Sequence, residues 1–180
     1  MINIKTDRLI LRPIELSDAE AIFHYRSNFV ENKYQGWIPN SIDDVNEFIK
    51  TKITPIFDIG NSWFQFVITT INENKLIGDI GVHFIDSENQ IEIGCTLDKD
   101  FQGKGYATEA LHGLIDYFIF RLKKHRIITS IDPRNAASIR LVERLGFKKE
   151  AHFKESLFIR GEWTDDVVYV ILEEDWINKG

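Results

Sequence analysis

Apolar and polar side chains alternate over residues 6–14, where Leu9 and Leu11 fall opposite Ile10, Arg12 and Ile14. That period of two predicts a first strand, and Pro13 puts its end at a sheet edge or exit. The period then lengthens. Ser17 stands three residues before Glu20, a capping-box spacing that predicts a helix carrying Ala21, Ile22 and Tyr25. Ser41 and Asp44 repeat the device ahead of Val45, Phe48, Ile49 and Ile53, with Pro55 and Gly60 closing the region. The aromatic stretch 34–39 between these helices has no helical period. Residues 62–71, 75–85 and 90–97 are rich in β-branched and aromatic side chains and are separated by turn-forming residues at 72–74 and 86–89. Three strands joined this tightly predict an antiparallel meander, and Gly78 and Gly81 imply a bulge or close packing in the second.

Beyond residue 106 the helical spacing returns through Ala107, Ala110, Leu111, Leu114, Ile115, Phe118, Ile119 and Leu122. Residues 126–131 read as a strand broken by Pro133. Asn135 occupies an N-cap position before a helix through Ile139, Val142 and Leu145, which Gly146 can end. Strands over 153–159 and 167–172 flank a turn at 160–162. No repeat, low-complexity tract or linker interrupts the chain, so the expectation is one α/β domain with a mixed, mostly antiparallel sheet of about seven strands flanked by helices.

Composition narrows this only slightly. The 180 residues are 43% hydrophobic and 28% charged, ordinary values for a globular chain, with a formal net charge of -6. An acidic balance argues against a sequence-independent grip on nucleic acid, and no apolar run reaches membrane-spanning length. Cys95 is the single cysteine, so no internal disulfide can form, and a small core residue in a reducing compartment is the simplest account of it. The first residues, Met1-Ile2-Asn3-Ile4-Lys5, lack a basic segment followed by an apolar run, which points to the cytoplasm. Scattered histidines and one cysteine give no metal-ligand spacing.

Between the third meander strand and the long helix lies Gln102-Gly103-Lys104-Gly105-Tyr106-Ala107-Thr108. Glycines at a helix start let backbone N–H groups face an anion held at the positive helix end. Two glycine motifs are excluded by position. A Walker A loop needs a glycine where Asp98 stands and a Ser or Thr where Gly105 stands; a dinucleotide fingerprint needs a third glycine at Thr108. A pyrophosphate-binding loop of another kind is the remaining reading, against a plain tight turn into a helix.

Gln102 to Ala107 resembles the Q/R-x-x-G-x-G/A signature of the GNAT superfamily of acyl-CoA-dependent N-acetyltransferases. Ile91-Glu92-Ile93-Gly94 is similar to that family's fourth strand, and Asn135-Ala136-Ala137-Ser138 and Leu145-Gly146-Phe147 to its Asn-x-x-Ser and Leu-Gly-Phe elements. The opening residues 6–12 and the closing Gly161-Glu162-Trp163-Thr164-Asp165 resemble the RimJ/RimL-like branch, which includes enzymes acetylating N-terminal amines of ribosomal proteins. The resemblance spans about residues 6–176 and implies a GNAT-like fold with a sheet splayed at the CoA site. It implies acetyl-CoA as acyl donor, no metal, and an amine-bearing acceptor, either a protein N-terminus or a small molecule. A homodimer is compatible with it.

The resemblance also assigns residues. Gln102, Gly103, Lys104, Gly105, Tyr106, Ala107 and Thr108 would hold the pyrophosphate, and Cys95, Thr96 and Leu97 would pair with the pantetheine arm as an added strand would. An N–H of Thr96 or Leu97 would polarise the thioester carbonyl. Asn135 would either bond the CoA arm or only cap its helix. Ser138, one turn on, would protonate the departing thiolate; a tyrosine common at that task in the family is Val142 here. Glu92 would take the acceptor's proton through a water, the competing reading being a solvent-facing strand glutamate. Glu155, beside the acceptor, is a second candidate for that base, although the family position falls on Leu157; His83 and Asp165 are weaker candidates for it. Tyr34 and Trp37 would wall the acceptor pocket, with core packing as the alternative for Trp37. If turnover were absent, the same features would make an acyl-CoA-binding module.

Overall fold

The computed structural model describes residues 2–85 and 89–179. Eight strands form one sheet: β1 (Ile4–Lys5), β2 (Leu9–Pro13), β3 (Ser62–Thr70), β4 (Leu76–Phe84), β5 (Gln90–Leu97), β6 (Arg126–Ile131), β7 (Lys148–Ile159) and β8 (Glu162–Leu172). Their spatial order is β1-β2-β3-β4-β5-β6-β8-β7. The expected first strand is β2, which starts at Leu9; ahead of the expected span, the two-residue β1 turns back through residues 6–8 so that Ile4 faces Leu11, and this supplies the eighth strand. The meander β3-β4-β5 is antiparallel throughout, as its short turns require. Residues 86–88 of the second expected turn lie outside the described residues.

Helices cover both faces. α1 (Ala19–Arg26), the short α2 (Phe29–Asn32) and α3 (Ile42–Thr51) precede the meander. α1 and α3 enclose Ala19, Ile22, Tyr25 and Val45 against Val67 on one face. α4 (Tyr106–Asp116), continued by a π-helical stretch Tyr117–Arg121, and α5 (Ala136–Arg144) pack on the other, where Leu111, Leu114, Ile115 and Phe118 meet Phe66, Ile68, Ile80, Val82 and Ile91. α6 (Glu173–Ile177) closes the chain, with the Trp176 indole donating to Asp116 at 2.8 Å. Ser41 caps α3 as its spacing predicts, accepting from the Asp44 N–H at 3.1 Å. The expected Ser17–Glu20 box is replaced. A 3-10 turn over Leu16–Asp18 precedes α1, and Asp18 accepts from the Glu15 N–H at 2.8 Å while pairing with Arg12.

One junction shapes the molecule. β5 and β6 are parallel but pair over only three positions, Gln90 with Arg126, Ile91 with Ile127 and Glu92 with Ile128. Past Glu92, β5 stays with β4 as far as Leu97, and past Ile128, β6 stays with β8 as far as Ile131. Each strand keeps its outer partner, so the sheet opens between them. Gly78 helps hold β5 to β4: a Cβ there would lie 2.4 Å from the Thr96 carbonyl oxygen and 2.6 Å from Leu97 Cδ2. Only a residue without a side chain permits this approach. Gly78→Ala is therefore expected to destabilise the fold by about 2 kcal/mol, seen as a lower urea midpoint at unchanged m-value.

Candidate active site

Two cavities meet at the opening between β5 and β6. The larger, about 1060 Å³, lies on the α1 and α3 side; the smaller, about 100 Å³, lies towards α5. Ile93, Gly94, Ser130 and Asp132 line both, so the opened strands form the partition between them. The strand period distributes the residues of β5. Glu92 and Thr96 line only the large chamber and Cys95 only the small one, while Ile93 and Gly94 between them reach both.

The small cavity brings Cys95, Asn135 and Ser138 together with Val142. Asn135 Oδ1 accepts from the Ser138 N–H at 3.2 Å, which is the N-cap reading. Its Nδ2 has no bond among the described residues, so capping leaves a donor in hand. Burial, reinforced by the Asp79 carboxylate, pushes the Cys95 thiol up to about 12. At neutral pH this sulfur carries its proton and is a poor nucleophile.

After β5, a 3-10 turn over Lys99–Phe101 leads into residues 102–108, a loop through Gly105 followed by the first turn of α4. Gly103 and Gly105 adopt φ of 74° and 83°, the left-handed region that glycine enters without strain. Gly105 is the N-cap of α4, and no side chain caps this helix, so the donors of its first turn face outward. Gln102 Nε2 donates to the Leu97 carbonyl at 3.0 Å, tying the loop to β5. Arg8, which the sequence did not point to, reaches across from the turn before β2. It stacks over the Tyr106 ring at 4.4 Å, donates to the Lys104 carbonyl at 3.2 Å and pairs with Glu109 at 2.6 Å. The N-terminal segment thus buttresses the loop.

The large chamber has aromatic walls and a polar floor. Tyr34 and Trp37 line it, as does Trp63. Trp37 also stacks on Phe48 at 4.3 Å, so its packing and lining roles coexist. Leu157 lines the chamber, whereas Glu155 is not among its lining residues and occupies an exposed bulge of β7 with φ 46°. The Glu155 N–H donates to Asp165, which also bonds His152; these two contacts hold the Asp165 carboxyl below its usual range. His83 stacks on Trp63 at 4.7 Å, and its Nδ1 lies 3.9 Å from Glu92 Oε2. Burial raises the Glu92 pKa; His83 opposes this, and Asp166 adds to it. Asp166 accepts from the Ser130 hydroxyl at 2.6 Å on the same floor.

Behind the floor sits a buried ion pair. Asp79, 1% exposed, lies on β4, and Arg26 on α1 grips it from both sides, Nε to Oδ2 at 2.8 Å and Nη2 to Oδ1 at 2.5 Å. Gln65 donates to the same carboxylate at 2.5 Å, and the Tyr25 hydroxyl completes the set. Burial alone would lower the Arg26 pKa, but the Asp79 charge and hydrogen bonds override it and the net shift is upward. The Tyr25 hydroxyl is raised well above its ordinary value, first by burial and then by Asp79. Arg26 Nη2 also reaches Thr96 Oγ1 at 3.0 Å. Asp79, the one carboxylate in the mostly apolar run of β4, is the sequence signal for this network; nothing local marks Arg26, Ser130 or Asp166.

The acetyltransferase (GNAT) domain model matches residues 8–148. The uncharacterized N-acetyltransferase YnaD of Bacillus subtilis is 33% identical over 178 residues, covering 97% of this chain and 99% of its own. The Escherichia coli enzyme named for acetylating an alanine of ribosomal protein uS5 is 29% identical over 192 residues, covering 97% and 93%. The crystal structure of a Vibrio cholerae spermidine N-acetyltransferase in complex with CoA and spermine superposes with a TM-score of 0.80 at 27% identity, covering 94% and 98%. The chain belongs to the GNAT family of acetyltransferases and is, by that membership, an N-acetyltransferase.

Proposed function

We propose that this enzyme moves the acetyl group of acetyl-CoA to a primary amine by direct attack, the amine entering from the large chamber and the donor lying in the opening between β5 and β6. One observation carries the reading: unpaired edges of two parallel strands with a separate cavity on each side. Residues 93–97 of β5 expose backbone groups that β6 leaves unpaired, and a pantetheine amide is chemically suited to pair with them. The loop 102–108 offers backbone donors to the pyrophosphate without a dedicated cation. The Vibrio structure, with CoA and spermine bound, supports a two-substrate site in this fold, and the Escherichia coli relative supports a protein N-terminus as an alternative acceptor.

In this mechanism the amine lone pair forms a bond to the thioester carbonyl carbon, giving an oxyanion and then breaking the C–S bond. Glu92 receives the ammonium proton through a water; its raised pKa brings it nearer neutrality, which suits a base. Ser138 supplies a proton to the thiolate and regains one from solvent. The high thiol pKa of Cys95 argues against an acetyl-cysteine intermediate. Holding both reactants at the partition supplies much of the acceleration. The test is release of free CoA thiol in the presence of acetyl-CoA and a panel of diamines, amino sugars and peptide N-termini. Tight acetyl-CoA binding without thiol release from any of them would favour the acyl-CoA-binding module instead.

Glu92→Gln is expected to lower kcat by about 10² or more, leaving the CoA dissociation constant in place. The same variant should be more heat-stable than the parent at neutral pH. Folding raises the Glu92 pKa, so the folded state binds the proton more tightly and loses stability as pH rises through that window. Glutamine removes the cost of holding the buried charge. Below about pH 4, where both states of the parent hold the proton, the difference in Tm should vanish. Gly105→Val forces a β-branched residue to φ 83° and obstructs the loop. It should weaken CoA binding at least ~10-fold, measured by calorimetry, with the circular dichroism spectrum preserved.

A further inference from the structure

The Asp79 network leaves one proton unassigned. The two Asp79 oxygens already accept from four donors, Arg26 Nε, Arg26 Nη2, Gln65 Nε2 and the Tyr25 hydroxyl, which fills their lone pairs. A guanidinium can only donate, so in the 3.0 Å contact between Arg26 Nη2 and Thr96 Oγ1 the threonine oxygen is the acceptor. The Thr96 O–H then has no acceptor among the described residues, although the side chain is buried. A buried hydroxyl that receives a charged hydrogen bond is polarised, and its own proton becomes a better donor.

Thr96 stands two residues past Gly94 on the same strand face, beyond the last rung that β5 shares with β6, and it lines the large chamber. We infer that the Thr96 hydroxyl, held and polarised by Arg26, donates to the oxyanion that forms on the acetyl carbonyl oxygen. This rests on the acetyl-transfer reading and adds to it a side-chain donor beside the strand's backbone N–H groups. Arg26 is a positioning residue in this scheme. Asp79 fixes the Arg26 guanidinium, one Nη2 hydrogen going to Asp79 Oδ1 and the other to Thr96 Oγ1, so that its part in this scheme is played through Thr96 although it also lines the chamber. No bond is made or broken at Thr96; its proton stays on Oγ throughout, and the negative charge it faces is lost when the C–S bond breaks. The low-dielectric surroundings strengthen such an interaction, and the groups are set before the reaction begins, so no reorganisation is spent on it.

The experiment compares wild type, Thr96→Val and Thr96→Ser in the CoA-release assay, with calorimetric binding of CoA and thermal melting of each protein. Valine keeps the branched shape and removes the hydroxyl. The expected result is a fall in kcat of at least ~10-fold for valine, an oxyanion donor being worth about 10²–10³. The KM values and CoA affinity should change little, while Tm should fall in the valine variant, because the Arg26 N–H loses its buried acceptor, and recover with serine. Serine should restore most of kcat. If valine does not fold, Thr96→Ala against Thr96→Ser carries the same comparison. A kcat within twofold of wild type in the hydroxyl-free variant overturns the inference. So does a loss confined to the KM of the amine, which would make the hydroxyl an acceptor contact. So does a serine variant no better than alanine or valine, which would make the methyl group the important part. An inactive wild type that still binds CoA would instead remove the acetyl-transfer reading itself.

Discussion

Asp79 lies in the middle of the sheet with almost no contact with water, and a carboxylate in that position is costly unless every lone pair is met. Arg26 meets it, and in doing so joins α1 to β4 and β5. Three consequences follow from this one pair. α1 is fixed against the sheet, the wall of the large chamber is rigid at Trp37 and Gln65, and β5 is held on the β4 side through Thr96. Together with the close approach at Gly78, this keeps β5 on its course while β6 follows β8 away from it. The opening that makes the site is therefore maintained from the outer sides of both strands. Breaking such a pair by removing one partner typically costs about 3–5 kcal/mol, and here the loss would fall directly on the chamber.

The two halves of the site rest on different physics. The loop 102–108 needs only backbone geometry: two glycines at positive φ, an uncapped helix start and the buttress from Arg8. The chamber depends on side chains brought from distant parts of the chain, with Glu92 beside Asp166 on the floor and aromatic walls from the segment before α3 and from β3. This division fits a family that keeps one donor and varies its acceptor. Under the proposed reading, backbone donors would serve a pyrophosphate whatever the side chains, whereas the chamber would be free to change.

Much of the fold was legible because its signals are local. The meander declared itself through alternation and short turns, α3 through the Ser41–Asp44 spacing, and the loop through Gly103 and Gly105. The errors have equally local causes. β1 escapes the pattern because its two residues, Ile4 and Lys5, are too few to show alternation and Thr6, Asp7 and Arg8 do not form a strong turn signal. β7 was begun five residues late because Lys148 to His152 are largely polar and exposed, as an edge strand tolerates. The start of α1 was assigned to Ser17, yet Asp18 serves both Glu15 and Arg12, which a capping pattern cannot foresee. At the site, Glu92, Asn135, Ser138, Tyr34 and Trp37 all reach one of the two cavities, and Glu155 does not line the larger. Its place is taken by Leu157 because the bulge of β7 turns the strand between them. Arg26, 53 residues from Asp79, carried no sequence mark at all. Pairing across that distance is decided by packing.

The divergence of β5 from β6 as a donor-binding slot is open to direct measurement by amide hydrogen exchange with and without CoA, read by mass spectrometry at peptide resolution. Added CoA should slow exchange in two separate segments, residues 93–97 of β5 and residues 103–108 at the start of α4, while β2 and β3 stay unchanged. Protection confined to other segments, or saturating CoA with no slowing at residues 93–97, would contradict the account.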